Sequence, residues 1–339
     1  MDASQQEFQV VFGTGTLGKA IAQQLVAQGK QVRMVSRSNR EDLPQGVELV
    51  RGDAADPRFT QKVCQGAEVI YHCAGPKYNF KAWVKEFPPL QQGILAGAIS
   101  SGAKLIYGDS LYGYGKVKEP MREDMPYAAT TNKGKIRAQL AETLMTAHRA
   151  GKAQVAIARS SDFYGEGVLN SVFGDRVFIP ALQGKPAEAI GNLDLPHTYT
   201  YIVDFARAMI ILGEREEAIG QVWHVPNAPT ISTREMLNIL FEELELPPKM
   251  NGMGKLMMRI GGLFIPEAAE SVEMMYQFEN PFVVDSSKFV EAFGDIATPH
   301  RQAIRNTIAW YRQHLQAQDS LKTDFRMYEQ PNLRTNSQA

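Results

Sequence analysis

The chain has 339 residues, 44% of them hydrophobic, enough for a sizeable core and against a disordered protein. Its 36 basic and 37 acidic residues leave a net charge of -1, which argues against nucleic acid or an acidic membrane surface as the main partner. The two cysteines, Cys64 and Cys73, lie in apolar surroundings without metal-ligand spacing, so they read as buried thiols of a reducing, cytoplasmic setting. No metal site is expected, and neither a signal peptide nor a bilayer-spanning run is visible.

Along the chain, "FQVVF" reads as a first strand and "TLGKAIAQQLVAQGK" as a helix with Leu17, Ile21 and Leu25 on one face. "QVRMVS", "VELVRG", "AEVIYHCAG", "AKLIYGDS" and "AQVAIARSS" supply strands two to six. Between the last four lie a helix after Pro57, a helix in "PPLQQGILAGAISSG" with prolines at its start, and a long helix from about Thr131 to Ala150. Strands separated by helices, without hairpin signals, predict an α/β, Rossmann-like doubly wound parallel sheet. After Tyr164 the rhythm gives way to a Gly-, Pro- and aromatic-rich stretch. The helix "VDFARAMIILGE" and the strand "QVWHV" then resume it. The predicted division is a dinucleotide-binding domain over 1–165, with 201–226 returning to it, and a smaller C-terminal substrate lobe from 166–200 and 227–315. The Met-rich stretch around "GKLMMRIGGLF" reads as a packed helical pair, and 316–339 as a disordered tail.

Between the first strand and helix, "FGTGTLG" places Gly13, Gly15 and Gly18 at G-x-G-x-x-G spacing. Gly13 permits a tight turn, Gly15 a close backbone approach to a pyrophosphate, and Gly18 close helix–strand packing. Thr16 and Leu17 open the helix, whose free N–H groups would face the phosphates. At the end of the second strand stand Ser36 and Arg37, where an acid would mark NAD. A serine and an arginine fit a ribose phosphate, so NADP is expected in preference to NAD, with NAD left open. Asp53 is placed for an adenine amino group, since Asp56 serves better as the cap of the helix at Pro57. Ala74, Gly75 and Lys77 follow the fourth strand, at the crevice where such sheets bind ligands.

These residues, with "KLIYGDSLYGYG", "ARSSDFYGEG" and "HTYTYIVDFARAM", resemble the short-chain dehydrogenase/reductase superfamily. The resemblance is to its extended NAD-dependent epimerase/dehydratase branch and runs from about Phe8 to Leu315. It implies hydride exchange between NAD(P) and a carbonyl or hydroxyl substrate, with a nucleotide sugar as one option. It also implies a Tyr-x-x-x-Lys pair on the helix after the fifth strand, with a Ser at Ser110. The matching lysine is Lys133, but Ala129 stands four residues before it, so the tyrosine is missing. Tyr112 and Tyr127 are candidates to replace it, and Lys133 is expected to bind the nicotinamide ribose. Tyr164, His197 and Tyr199 are expected to touch substrate, and His72 to be a satisfied core residue. The alternative reading is a non-catalytic NADP(H)-binding sensor or scaffold. A homodimer through "ILAGAIS" and "AQLAETLMTAH" is a further expectation of the resemblance.

Overall fold

The structure is a computed structural model that describes residues 8–38, 42–264 and 266–328. Seven parallel strands form its central sheet. They are β1 (Phe8–Phe12), β2 (Gln31–Ser36), β3 (Val47–Arg51), β4 (Ala67–His72), β5 (Lys104–Ser110), β6 (Gln154–Ser160) and β7 (Val222–His224). Their spatial order is β7-β6-β5-β4-β1-β2-β3, so the chain starts in the middle and winds outward in both directions. Val10, Val11 and Phe12 are all fully buried, because helices cover both faces of β1 and no alternation is needed.

One face is covered by α1 (Thr16–Ala27), which buries Ile21 and Leu25. The other carries α2 (Pro57–Val63), α3 (Phe80–Ser101) and α4 (Asn132–Arg149). Ile94 and Ala98 of α3 and Ala141, Leu144 and Met145 of α4 pack against the chain's own sheet, while Ile99 of the same stretch is exposed. Asp56 accepts from Arg58 N and caps α2, as expected. α3 begins eight residues before Pro88, and both Pro88 and Pro89 lie inside it. Its true start is fixed by Asn79, whose side chain accepts from Ala82 N, and by the burial of Trp83 and Phe87.

The second lobe contains α5 (Asp175–Leu182), α7 (Thr233–Glu243), α8 (Lys255–Gly261), α9 (Pro266–Ser271) and α11 (His300–Tyr328), while α6 (Ile202–Glu214) returns to the sheet beside α1. Its core joins Phe173, Phe178, Leu237, Phe241 and Ile304. α10 (Ser287–Phe293) turns back to the sheet, where Phe289 packs with Trp223. The segment expected to be disordered continues α11 as helix through Tyr328, and 329–339 lie outside the described residues. In the Met-rich stretch Met258, Met274 and Met275 are buried, but Leu256, Met257, Ile260, Leu263 and Phe264 are exposed. Among the described residues no helix is long and apolar enough to cross a membrane.

Two histidines are sealed in the sheet. His224 sits between the Tyr114 hydroxyl, 2.9 Å from Nε2, and the Asp285 carbonyl, 2.8 Å from Nδ1. His72 is buried, yet neither ring nitrogen has a partner, so it is not the satisfied residue expected. Burial lowers His224 from 6.5 to about 4 and His72 to about 3. Below 6.5 the unfolded chain binds protons that the folded rings refuse, so stability is expected to fall with pH, levelling near 4 for His224 and near 3 for His72. Urea midpoints across that window measure it. His224→Gln should flatten the slope; an unchanged slope would contradict the assignment.

Candidate active site

The three glycines of the β1–α1 loop differ in what surrounds them. Gly13 has φ of 109°, a conformation that side chains rarely adopt. A Cβ on Gly18 would lie 2.0 Å from the Gly13 carbonyl oxygen, so this glycine lets α1 approach the loop. A Cβ on Gly15 would meet nothing within 4 Å, because Gly15 borders open space. Gly15 also caps α1 without a side-chain bond, which leaves the first N–H groups of a 12-residue helix for an anionic ligand. This cradle fits a dinucleotide pyrophosphate.

Gly15, Thr16 and Leu17 open one end of a cavity of about 800 Å³. It runs past Cys73, Lys77 and Ser110 to Met253, Gln277 and Phe282 of the second lobe. The Thr16 hydroxyl donates to the Gly167 carbonyl at 2.9 Å and ties the loop to that lobe. Burial pushes the Cys73 thiol well above its usual range, so it stays protonated and apolar.

The remaining expected cofactor residues stand at the same carboxyl edge of the sheet, outside this cavity wall. Ser36 Oγ accepts from Ser38 N at 3.3 Å and from Thr14 Oγ1 at 3.4 Å. Arg37 is exposed and 3.6 Å from Glu86. Asp53 closes its own turn by accepting from Ala55 N at 3.0 Å. Ala74 approaches Gly13 closely enough that a Cβ there would be 2.8 Å from its nitrogen, and Gly75 faces Phe87.

Lys133 is not on the cavity wall. It is 1% exposed, and its Nζ donates to Glu270 Oε2 at 2.6 Å, to the Glu270 carbonyl at 2.8 Å and to Glu273 Oε1 at 3.1 Å. The same carboxylates accept from the backbone N–H groups of Phe80, Asn132 and Lys133, at the N-termini of α3 and α4. The lysine assigned to the nicotinamide ribose thus fastens the second lobe to the sheet domain. The residue one turn on, Arg137, lines the cavity in its stead.

Arg137 is the site residue that motif reading missed. Its Nε donates to Asp109 Oδ1 at 2.8 Å and its Nη2 to the Gly108 carbonyl at 3.2 Å. Asp109 also takes Arg159 Nε on Oδ2 at 2.9 Å. The signal was present: Lys133 and Arg137 are four apart, the spacing at which the family carries its tyrosine and lysine.

Of the tyrosines, Tyr112 lines the cavity and hydrogen-bonds Tyr78. Burial holds its phenol well above the ordinary value, opposite to what a proton shuttle near neutral pH needs. Tyr127 lies in the loop before α4, as expected, but its hydroxyl is taken by Arg159 and it is not on the cavity wall. Tyr164 is buried against Phe173 and Tyr201, and the Tyr199 hydroxyl pairs with Thr233 Oγ1 at 2.8 Å. His197 holds Asp162 at 3.0 Å and stacks on Phe278 and Phe282. These three stand one layer behind the wall that Asp162 and Phe282 form.

A doubly wound parallel sheet with a glycine cradle at its carboxyl edge defines a Rossmann-type dinucleotide-binding protein. Residues 10–225 match the NAD dependent epimerase/dehydratase family, and the chain belongs to that family. It is 25% identical over 263 residues to the 2-alkyl-3-oxoalkanoate reductase of Stenotrophomonas maltophilia (strain K279a), covering 70% of this chain and 76% of the relative. It is 24% identical over 265 residues to 3beta-hydroxysteroid-dehydrogenase/decarboxylase isoform 2 of Arabidopsis thaliana, covering 70% of this chain but 43% of that longer relative. The chain thus spans less than half of the Arabidopsis protein's length. The UDP-Glucuronic acid 4-epimerase from Bacillus cereus in complex with NAD has the same fold, with a TM-score of 0.73 at 17% identity, covering 90% of this chain and 98% of that one.

Proposed function

We propose that the protein is an NAD(P)-dependent oxidoreductase that exchanges hydride with a carbonyl or hydroxyl carbon held between the sheet domain and the second lobe. The observation that carries this reading is the single cavity joining the glycine cradle to the lobe, with Ser110 on its wall. Gly15, Thr16 and the α1 N-terminus would hold the pyrophosphate, and a bound nicotinamide would supply or take the hydride. Ser110 is half-buried, and its Oγ is buried without a partner among the described residues, which leaves it to bond a substrate oxygen. Met253, Met258 and Phe282 give the substrate end an apolar stretch of wall, beside the polar Asn170, Arg176, Glu188 and Gln277. That wall supports a carbonyl compound with apolar bulk, in keeping with the oxoalkanoate and hydroxysteroid named for two relatives. A nucleotide sugar is the other substrate class in this reading, as for the Bacillus epimerase. NADPH oxidation with 2-alkyl-3-oxoalkanoates and keto-steroids, and NAD(P)+ reduction or epimer formation with UDP-sugars, test it: turnover on one class supports the reading, and none on any class contradicts it.

Ser36 and Arg37 support a preference for NADP over NAD. Arg37→Ala is expected to weaken NADPH on the order of tenfold by removing a phosphate-binding guanidinium, and NADH much less. Equal weakening in parallel titrations would sink the preference.

The second reading is an NADP(H)-binding sensor without turnover. It is favoured by Lys133, which is committed to Glu270 and Glu273 with no tyrosine four residues before it. Tight NADPH binding without oxidation of any carbonyl would select it.

A further inference from the structure

We propose that Arg137, with Ser110 and Trp83, forms an oxyanion-holding corner that does the work of the absent tyrosine. The inference rests on the hydride-exchange reading above. Three residues from three elements line the same cavity: Trp83 from α3, Ser110 from the end of β5 and Arg137 from α4. Ser110 Oγ and Trp83 Nε1 are both buried without a partner, and Trp83 as a whole is 6% exposed. Among the described residues other buried polar atoms also lack a partner, but these two belong to residues of the cavity wall, where a ligand would complete them. Arg137 commits Nε and Nη2 to Asp109 and Gly108, which leaves Nη1 as the guanidinium nitrogen assigned to the substrate in this proposal.

The charge balance points the same way. Asp109 is one carboxylate shared by two buried guanidiniums, Arg137 and Arg159. The group therefore keeps one positive charge beside the cavity, in surroundings too dry to screen it. The rings of Tyr107, Phe87 and Trp83 surround the Arg137 guanidinium, with centroids 5.3, 5.4 and 6.0 Å away. They keep it in place and exclude water. Such a corner stabilises negative charge that develops on oxygen.

In the reducing direction, a hydride from NAD(P)H adds to the carbonyl carbon and the π pair of the C=O bond moves to oxygen. Arg137 Nη1, Trp83 Nε1 and Ser110 Oγ donate to that alkoxide. The Ser110 proton then passes to it, and water returns a proton to Ser110. The products are the alcohol, NAD(P)+ and the hydroxide left by that water, so each turnover takes up one proton from solvent.

The test uses the purified chain with NADPH and the best carbonyl of the panel, reading NADPH affinity, KM and kcat separately. Arg137→Ala should lower kcat on the order of 100-fold, as loss of one oxyanion donor does elsewhere. NADPH affinity should stay within about twofold, because the corner lies away from the glycine cradle. Added guanidinium should restore part of kcat in Arg137→Ala, which a merely structural role would not allow. Trp83→Phe keeps the ring, removes only Nε1 and should cost kcat about tenfold, the weight of one neutral hydrogen bond. It decides the matter should Arg137→Ala fail to fold. Wild-type turnover with kcat unchanged in Arg137→Ala or Trp83→Phe, or kcat and NADPH affinity falling together, overturns the inference alone. A wild-type protein inert on every carbonyl overturns the hydride-exchange reading and the inference with it.

Discussion

Asp109→Ala is expected to cost the fold about 3–5 kcal/mol, the range for removing one partner of a buried ion pair. Asp109 is 3% exposed, and its two oxygens receive Arg137 and Arg159 separately. Without it, the buried guanidiniums of Arg137 on α4 and Arg159 on β6 lose the carboxylate they share. A domain commonly has only about 5–15 kcal/mol of stability, so this one change consumes much of it. Arg137→Ala is milder, because Asp109 keeps Arg159. Urea denaturation of the two variants measures the difference, and equal midpoints for Asp109→Ala and wild type would refute the shared-carboxylate picture.

Gly15→Val separates cofactor binding from folding. The added Cβ meets no atom within 4 Å, so the empty protein should lose less than about 1 kcal/mol. The isopropyl group nevertheless fills the cradle at the α1 N-terminus, where a pyrophosphate must come close to backbone. NADPH affinity should fall on the order of 100-fold or more, as close backbone approach is the reason for glycine there. Gly18→Val gives the opposite pattern, since its Cβ would sit 2.0 Å from the Gly13 carbonyl oxygen and disturb the loop itself. Thermal melts and calorimetry on the same samples report both quantities. Unchanged affinity in Gly15→Val would place the dinucleotide elsewhere.

The fold was legible wherever its information is local. Each strand of the main sheet shows as an apolar run, and the cap at Asp56 follows from its own neighbours. The Ser232–Glu235 capping box of α7 is likewise a short-range pattern. The start of α3 was not legible, because Pro88 and Pro89 read as a beginning when tertiary burial of Trp83 and Phe87 extends the helix before them. The site divided in the same way. The glycine cradle and Ser110 are motif residues and could be named. The commitment of Lys133 is made by carboxylates 137 and 140 residues away, which no local pattern reveals. Lys133 is off the cavity wall and Arg137, one turn on, is on it, and only packing shows that exchange.

The measurement closest to the central claim is a calorimetric titration of the purified protein with NADPH and, separately, with NADH. A saturable single site, tighter for NADPH, is the predicted result. Binding of neither nucleotide would contradict the account, leaving the glycine loop as a turn and the cavity without its cofactor.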